Sequence, residues 1–324
     1  MIHSADIPTC WVVTDGRAGI EAQALGLAEA IARAMPITVA IKRIKVRAPH
    51  RALPRQLWGD PFAHLDPAGD ALVPPWPDLW IGCGRLSAPF TMAMRAYSPG
   101  AFTVQLQNPR APPGAFDLII PPEHDRLAGE NVFSIIGSPN RIEAARARAN
   151  VLPGLAPLAV LVGGPNRAFR FDMADAARLA DKLAALSMPL DVTLSRRTPR
   201  AAAEILRERL GAVAARFHDP ARDAAMANPY PAMLGTARAI LVTEDSVNMA
   251  TEAAATAKPL YILPMRRKPF ASASKFDAFH ESLCKRGASR VFRGEIEAWI
   301  YEPLDETARA ATEVIRRWRA RRGH

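Results

Sequence analysis

The sequence predicts an α/β fold of two doubly wound domains, and three observations carry that expectation. The chain has 324 residues, enough for two domains of about 150 residues each. Short, continuously apolar runs alternate with helical patterns through both halves, the pattern of parallel strands covered on both faces. The segment Leu152-Pro153-Gly154-Leu155-Ala156-Pro157 is dense in Pro and Gly and reads as an interdomain linker. The expected organisation is an N-terminal domain over residues 1–150, a C-terminal domain over 151–304 and a closing helix over 305–324.

The strands and helices follow in order. CWVVT (10–14) is an apolar run that breaks at Asp15-Gly16-Arg17-Ala18-Gly19, and Ala22, Leu25, Ala28, Ile31 and Ala32 then fall at helical spacing. ITVAI (37–41) is the next strand, and a Pro-rich basic stretch runs from Lys42 to Pro77. DLWIGC (78–83) ends in Gly82-Cys83-Gly84 ahead of a helix containing Met92 and Met94. FTVQL (102–106), FDLII (116–120) and VFSII (132–136) complete the first set of strands, and an Arg-rich helix ends at Asn150. In the second half LAVLVGG (158–164), LDVTLS (190–195), AILVT (239–243) and PLYIL (259–263) are strands. Helices are expected over 172–186, with Asp172 as cap, after Thr198-Pro199, from near Ser246 to Thr256, and over 305–322.

Composition narrows the class. The chain is 49% hydrophobic with no apolar run of about eighteen residues, so a large core and no membrane-spanning helix are expected. Its start lacks a basic stretch followed by an apolar core and cleavage site, so a cytoplasmic protein is expected. Cys10, Cys83 and Cys284 form no disulfide framework, and the first two sit on apolar runs as core residues. A net charge of +10 suits phosphates, acidic lipid head groups or nucleic acid, and the Arg-rich, Ala-rich usage also fits a GC-rich genome. Nucleic acid is set aside: there is no helix-turn-helix, no zinc-finger spacing and no stacking aromatic among the basic runs.

Two doubly wound sheets facing one another would bring strand carboxyl ends to a shared cleft, where open α/β sheets bind ligands. At VTEDSVNMATEA an apolar strand ends at Thr243 and a helix starts near Ser246. Free N–H groups and the positive helix end there receive phosphate. Ser246 caps the helix or donates to a phosphate oxygen, with Met249 and Glu252 near one face and Glu252 placed for two hydroxyls such as those of a ribose. A plainly capped helix, with Asp245 as an alternative cap, explains the same residues. Gly163-Gly164-Pro165-Asn166-Arg167 lets backbone approach a ligand, but is neither G-x-G-x-x-G nor a P-loop, and an ordinary turn fits as well. Ser195-Arg196-Arg197 offers two guanidinium groups for a diphosphate, or two solvated arginines. In the first half, Asp15 in Asp15-Gly16-Arg17 is a general-base candidate or a turn aspartate. Gln105-Leu106-Gln107-Asn108 ends a strand in amides, and Glu123-His124-Asp125 groups titratable side chains past another. No HExxH, paired His/Cys spacing, DxD or GxSxG occurs, so no metal is expected.

Taken in order, WVVTDGRAGIEAQALGLAEA, FTVQLQNPR, FDLIIPPEHDRL, VLVGGPNRAFRFD, TLSRRTP, NPY and VTEDSVNMATEAAATAKPLYI resemble the elongated-mitochondria (mitochondrial fission) family over nearly the whole chain. Asn248 and Thr251 stand where that pattern has Ser, and Ala257 where it has Gly. The resemblance implies a GT-B-like fold of two Rossmann-like domains, and a glycosyltransferase activity that family members in bacteria are assigned. By the match, the C-terminal domain binds a nucleoside-diphosphate-sugar through Gly163, Gly164, Asn166, Ser195, Tyr230, Thr243, Asp245 and Met249. Glu252 takes the ribose, and Ser246, Arg196 and Arg197 take the diphosphate. The N-terminal half takes a glycan or lipid-linked acceptor, such as a lipopolysaccharide core, beside Gly16, Arg17, Gln107, Asn108 and Glu123. Asp15, in preference to His124, removes the acceptor proton. The nucleotide sugar is substrate, with no cofactor and no metal. The family's other names point to a nucleoside-diphosphate-sugar epimerase or hydrolase, or to a non-catalytic protein at a membrane surface.

Residues 42–58 carry six Lys/Arg and no acid, with Ile44, Val46, Leu53, Leu57 and Trp58 among them. That mixture suits peripheral contact with an anionic inner membrane through Arg47, Arg51 and Arg55. The competing reading is a strand end and a Pro-rich loop whose Leu and Trp pack on the domain.

Overall fold

A computed structural model describes residues 7–53, 57–142 and 156–323; the linker, the Arg-rich helix before it and Arg55 lie outside the described residues. The chain divides into two units, Met1–Arg141 with Glu306–His324, and Ile142–Asp305.

In the first unit, β1 (Thr9–Thr14), β2 (Thr38–Arg43), β3 (Leu79–Cys83), β4 (Phe102–Leu106) and β5 (Leu118–Ile120) form one sheet in the order β2-β1-β3-β4-β5. All pairings are parallel, with Val12 opposite Ile41 and Ile81. Alternate residues of a strand face opposite sides, and each side is buried by its own layer. Cys10, Val12 and Ile81 meet α1 (Ala18–Ala34) through Leu27 and Ile31. The chain's last helix returns to this same side with Ala310, Val314 and Trp318. Trp11, Val13 and Trp80 meet α2 (Gly84–Tyr97) through Phe90 and Met94 on the other side.

Described residues between β2 and β3 add to that second layer, and three apolar residues of the basic stretch pack inward, as the packed-loop reading of that stretch expects. Ile44, Val46 and Trp58 are buried in the same cluster as Phe90, because β2 ends at Arg43 and the following chain folds back over α2. Lys42 lies over the Trp11 ring at 4.6 Å. Leu53 and Leu57 stay exposed at 39% and 66%.

The second unit contains β6 (Leu158–Val162), β7 (Leu190–Leu194), β8 (Ala214–His218), β9 (Ala239–Thr243), β10 (Leu260–Leu263) and β11 (Ser289–Val291). They are parallel in the order β11-β10-β9-β6-β7-β8, a doubly wound sheet whose winding reverses between β6 and β9. α3 (Met173–Ala184) and α4 (Arg200–Leu210) bury Ala176, Leu183 and Leu206 against Val160, Val192 and Leu241. Asp172 caps α3 in a capping box with Asp175. Among the described residues the unit also has α5 (Tyr230–Thr236), α6 (Val247–Ala254) and α7 (Ser274–Lys285), and the chain's last helix, Glu306–Arg322, is α8.

The fold class is as expected, with one strand removed and several elements added. VFSII forms only isolated bridges, Val132 to Ile119 and Ile135 to Pro122. Pro121, between the bridged Ile119 and Pro122, accepts from the Ile135 N–H but has no N–H to donate in return, so the ladder is interrupted there. β8, β11, α5 and α7 were not anticipated.

Candidate functional site

The turns that follow β6, β7 and β9 are tied together at the carboxyl edge of the second sheet, and Asp245 is the knot. Its side chain is fully buried and accepts from Arg197 Nη2 at 2.6 Å, from the Gly164 N–H at 3.1 Å and from the Thr243 hydroxyl at 2.7 Å. Thr243 Oγ1 in turn accepts from the Gly163 N–H at 2.7 Å. The two glycines serve this packing: a Cβ on Gly163 would stand 2.2 Å from Asp245 Oδ1, and one on Gly164 2.2 Å from the Arg197 carbonyl oxygen. At both positions the space a Cβ would need is held by protein groups, as the ordinary-turn reading expects. Thr198, which the sequence reading left out, donates to the Gly163 carbonyl at 2.6 Å, while Ser195 Oγ accepts from the Arg197 N–H at 3.1 Å. Asn166 Oδ1 accepts from Ala168 and Phe169, closing its own turn, and its Nδ2 reaches the Asp245 carbonyl at 3.4 Å.

This separates the two arginines. Arg197 is committed to Asp245, whereas Arg196 is exposed with no side-chain partner among the described residues. Ser246, not Asp245, caps α6, accepting from the Met249 N–H at 3.4 Å. The N-terminus of α6 therefore stands on a braced turn, with its backbone dipole positive there.

Glu252 lies on α6 and accepts a hydrogen bond from the Tyr230 hydroxyl. Burial pushes the Glu252 carboxyl up to about 7, partly opposed by that hydrogen bond. Burial and the Glu252 charge push the Tyr230 phenol up as well. Tyr230 opens α5, and the far end of α5 is held by Lys258, whose ammonium donates to the carbonyls of Leu234, at 2.7 Å, and Gly235. Burial lowers Lys258 to about 8. Lys258 was missed from sequence, where a lone Lys before Pro259 carries no signal.

In the first unit the candidates occupy the turns after β1, β4 and β5, which parallel strands bring to one edge of the sheet. Asp15 accepts from Arg17 at its N–H (3.1 Å) and Nε (2.8 Å); the aspartate side chain is 13% exposed and the arginine 69%. Gly16 has φ +75°, a left-handed conformation that favours glycine. Gln107 donates to Gln23 of α1 at 3.0 Å, while Gln105 is wholly buried and donates to the Gly84 and Leu106 carbonyls. Asn108 Oδ1 accepts from the Arg110 N–H at 2.9 Å. Glu123 is exposed and His124 half-buried in a single 3-10 turn. Among the described residues no group of three or more His, Cys, Asp or Glu is placed to hold a metal ion, and no helix is long and apolar enough to cross a membrane.

Residues 18–318 match the protein family described as mitochondrial fission ELM1. The chain is 27% identical over 358 aligned positions to the uncharacterised protein RP120 of Rickettsia prowazekii (strain Madrid E), covering 94% of this chain and 97% of that one. It is 29% identical over 285 positions to the mitochondrial fission protein ELM1 of Arabidopsis thaliana, covering 76% of this chain and 65% of that protein. Among solved structures it is similar to Os79 from O. sativa in complex with UDP and deoxynivalenol-3-glucoside, at 10% identity and TM-score 0.50, covering 95% and 93% of the two chains. That likeness is one of fold, the GT-B-like pair of doubly wound sheets. By its match over residues 18–318, the chain belongs to the mitochondrial fission ELM1 family.

Proposed function

We propose that the protein transfers a sugar from a nucleoside-diphosphate-sugar to an envelope glycan or a lipid-linked acceptor, at the cytoplasmic side of the membrane and without a metal or other cofactor. The observation that carries this reading is the braced α6 N-terminus, with Arg196 exposed beside it and Glu252 further along the same helix. The helix end and Arg196 neutralise the diphosphate and the charge that grows on it as the sugar leaves. Ribose hydroxyls replace the Tyr230 hydroxyl on Glu252. Os79, of the same fold, was solved with UDP, which supports a nucleotide as the ligand of such a fold. Asp15 takes the acceptor proton once Arg17, largely exposed, releases it.

Calorimetry with UDP and GDP tests the donor half. Arg196→Ala and Glu252→Ala each lose about 1.5–3 kcal/mol of binding while remaining folded. The Glu252 carboxylate is the stronger acceptor for hydroxyls, and its value is raised to about 7. Nucleotide affinity therefore rises as pH increases through that value, and Glu252→Gln flattens the profile. Unchanged affinity in both alanine variants removes the assignment. Sugar transfer continues in EDTA; loss of turnover restored by Mg²⁺ or Mn²⁺ overturns the metal-free mechanism.

A further inference from the structure

Beside α2 the first unit holds a groove of about 720 Å³, within the roughly 300–1,000 Å³ of small-molecule sites. Its floor is the outward side of α2 at Ala88, Pro89 and Met92. One wall is the chain around Trp58, and the other is the turn from Pro109 to Pro112. The walls are preformed. Trp58 is buried, packs edge-on against Phe90 at 6.3 Å and reaches the Leu53 carbonyl through Nε1 at 3.4 Å. The opposite turn is pinned by Asn108 on the Arg110 N–H, by Arg95 donating to the Gly114 carbonyl at 2.7 Å, and by Asn131 donating to the Pro113 carbonyl at 2.7 Å.

Among the described residues the lining is apolar apart from two arginines, Arg85 and Arg110, and includes no carboxylate. An ammonium-bearing ligand would find no counter-charge there, whereas an anion would find one. Arg110 is exposed and sits two residues from Asn108 on the acceptor side. Leu53 lines the groove while remaining partly open to solvent, which extends its apolar surface outward.

We infer that this groove binds an anionic amphiphile, a single hydrocarbon chain ending in a phosphate, with the chain along Ala88–Met92 and the phosphate on Arg110. The inference rests on the acceptor half of the proposed reaction and names the acceptor as one carried on an alkyl or prenyl phosphate. Leu53 and Trp58 of the basic stretch then line a lipid-chain site, with Trp58 packed inward as part of its wall.

The test is calorimetry of the full chain with dodecyl phosphate and dodecanol as monomers, with inorganic phosphate, and with UDP as an independent control. Wild type binds dodecyl phosphate saturably and at least tenfold more tightly than inorganic phosphate. Ala93→Trp, which fills the groove, loses dodecyl phosphate at least tenfold and keeps UDP affinity and the wild-type melting temperature. Arg110→Ser, at an exposed position, loses dodecyl phosphate several-fold and leaves dodecanol unchanged. No binding by wild type, equal affinity for inorganic and dodecyl phosphate, or undiminished binding by both variants overturns the site. Saturable dodecyl phosphate binding without any UDP binding supports the groove and sinks the donor assignment instead.

Discussion

Asp15 and Asp245 each close a strand end beside an arginine, yet the two pairs do different work. Asp15 bonds Arg17, two residues away, in a pair that water reaches from the arginine side. Asp245 has no exposed side-chain surface and joins Arg197, Gly164 and Thr243, so three separate turns depend on one carboxylate. An exposed pair exchanges water for protein at little net gain. A buried carboxylate gains most of its partners only in the folded state and leaves them unsatisfied when removed. Proximity in sequence therefore goes with the weakly held pair here, and distance in sequence with the pair that ties turns together.

The largest expected effect breaks the comparison if it fails. Asp245→Ala loses about 3 kcal/mol or more of stability in urea unfolding, whereas Asp15→Ala changes it by less than about 1 kcal/mol. Equal losses would mean that burial does not distinguish the pairs. Asp15→Asn, stable by the same reasoning, stops sugar transfer if Asp15 is the base.

Lys258 extends the comparison to a second buried charge of the same unit. Burial lowers it from 10.5 to about 8, so across that window the unfolded chain holds a proton that the folded chain has shed. Stability attributable to Lys258 therefore rises with pH from about 8 to 10.5, by up to roughly 3 kcal/mol. Unfolding of wild type and Lys258→Met, compared from pH 7 to 10.5, shows the difference moving in favour of wild type. A constant difference would remove the depressed value.

The smallest effect sharpens the picture. Gly163→Ala places a methyl 2.2 Å from Asp245 Oδ1 and costs about 1–3 kcal/mol. The same change in an Asp245→Ala background costs less, because the clash is gone. Gly16→Ala costs roughly 1 kcal/mol from its left-handed backbone alone, since its nearest neighbour there is Arg43 Cδ at 3.6 Å.

Most strands were legible because a buried parallel strand is a short apolar run that needs no context; FTVQL and AILVT match β4 and β9 residue for residue. β8 was not legible, since of its five residues only His218 is buried and it lacks such a run. Nor was α7, whose buried side chains are Phe279 and Leu283 alone. VFSII misled for the opposite reason: it is apolar, but its neighbour in the sheet lacks a donor at Pro121.

Of the candidate site, sequence alone determined which turns end strands, that a helix begins near Ser246, and that Glu252 rides on that helix. These follow from local apolar periodicity and capping, which neighbours in the chain decide. Tertiary structure alone decided that Arg197 is bound while Arg196 has no side-chain partner among the described residues, that Gly163 and Gly164 admit Asp245 and Arg197, that Tyr230 meets Glu252, and that Ile44, Val46 and Trp58 face inward. Each of those depends on a partner tens of residues away. A buried charge or polar group takes whichever distant donor the fold delivers, and an apolar residue in a basic stretch is buried only where a helix from elsewhere covers it.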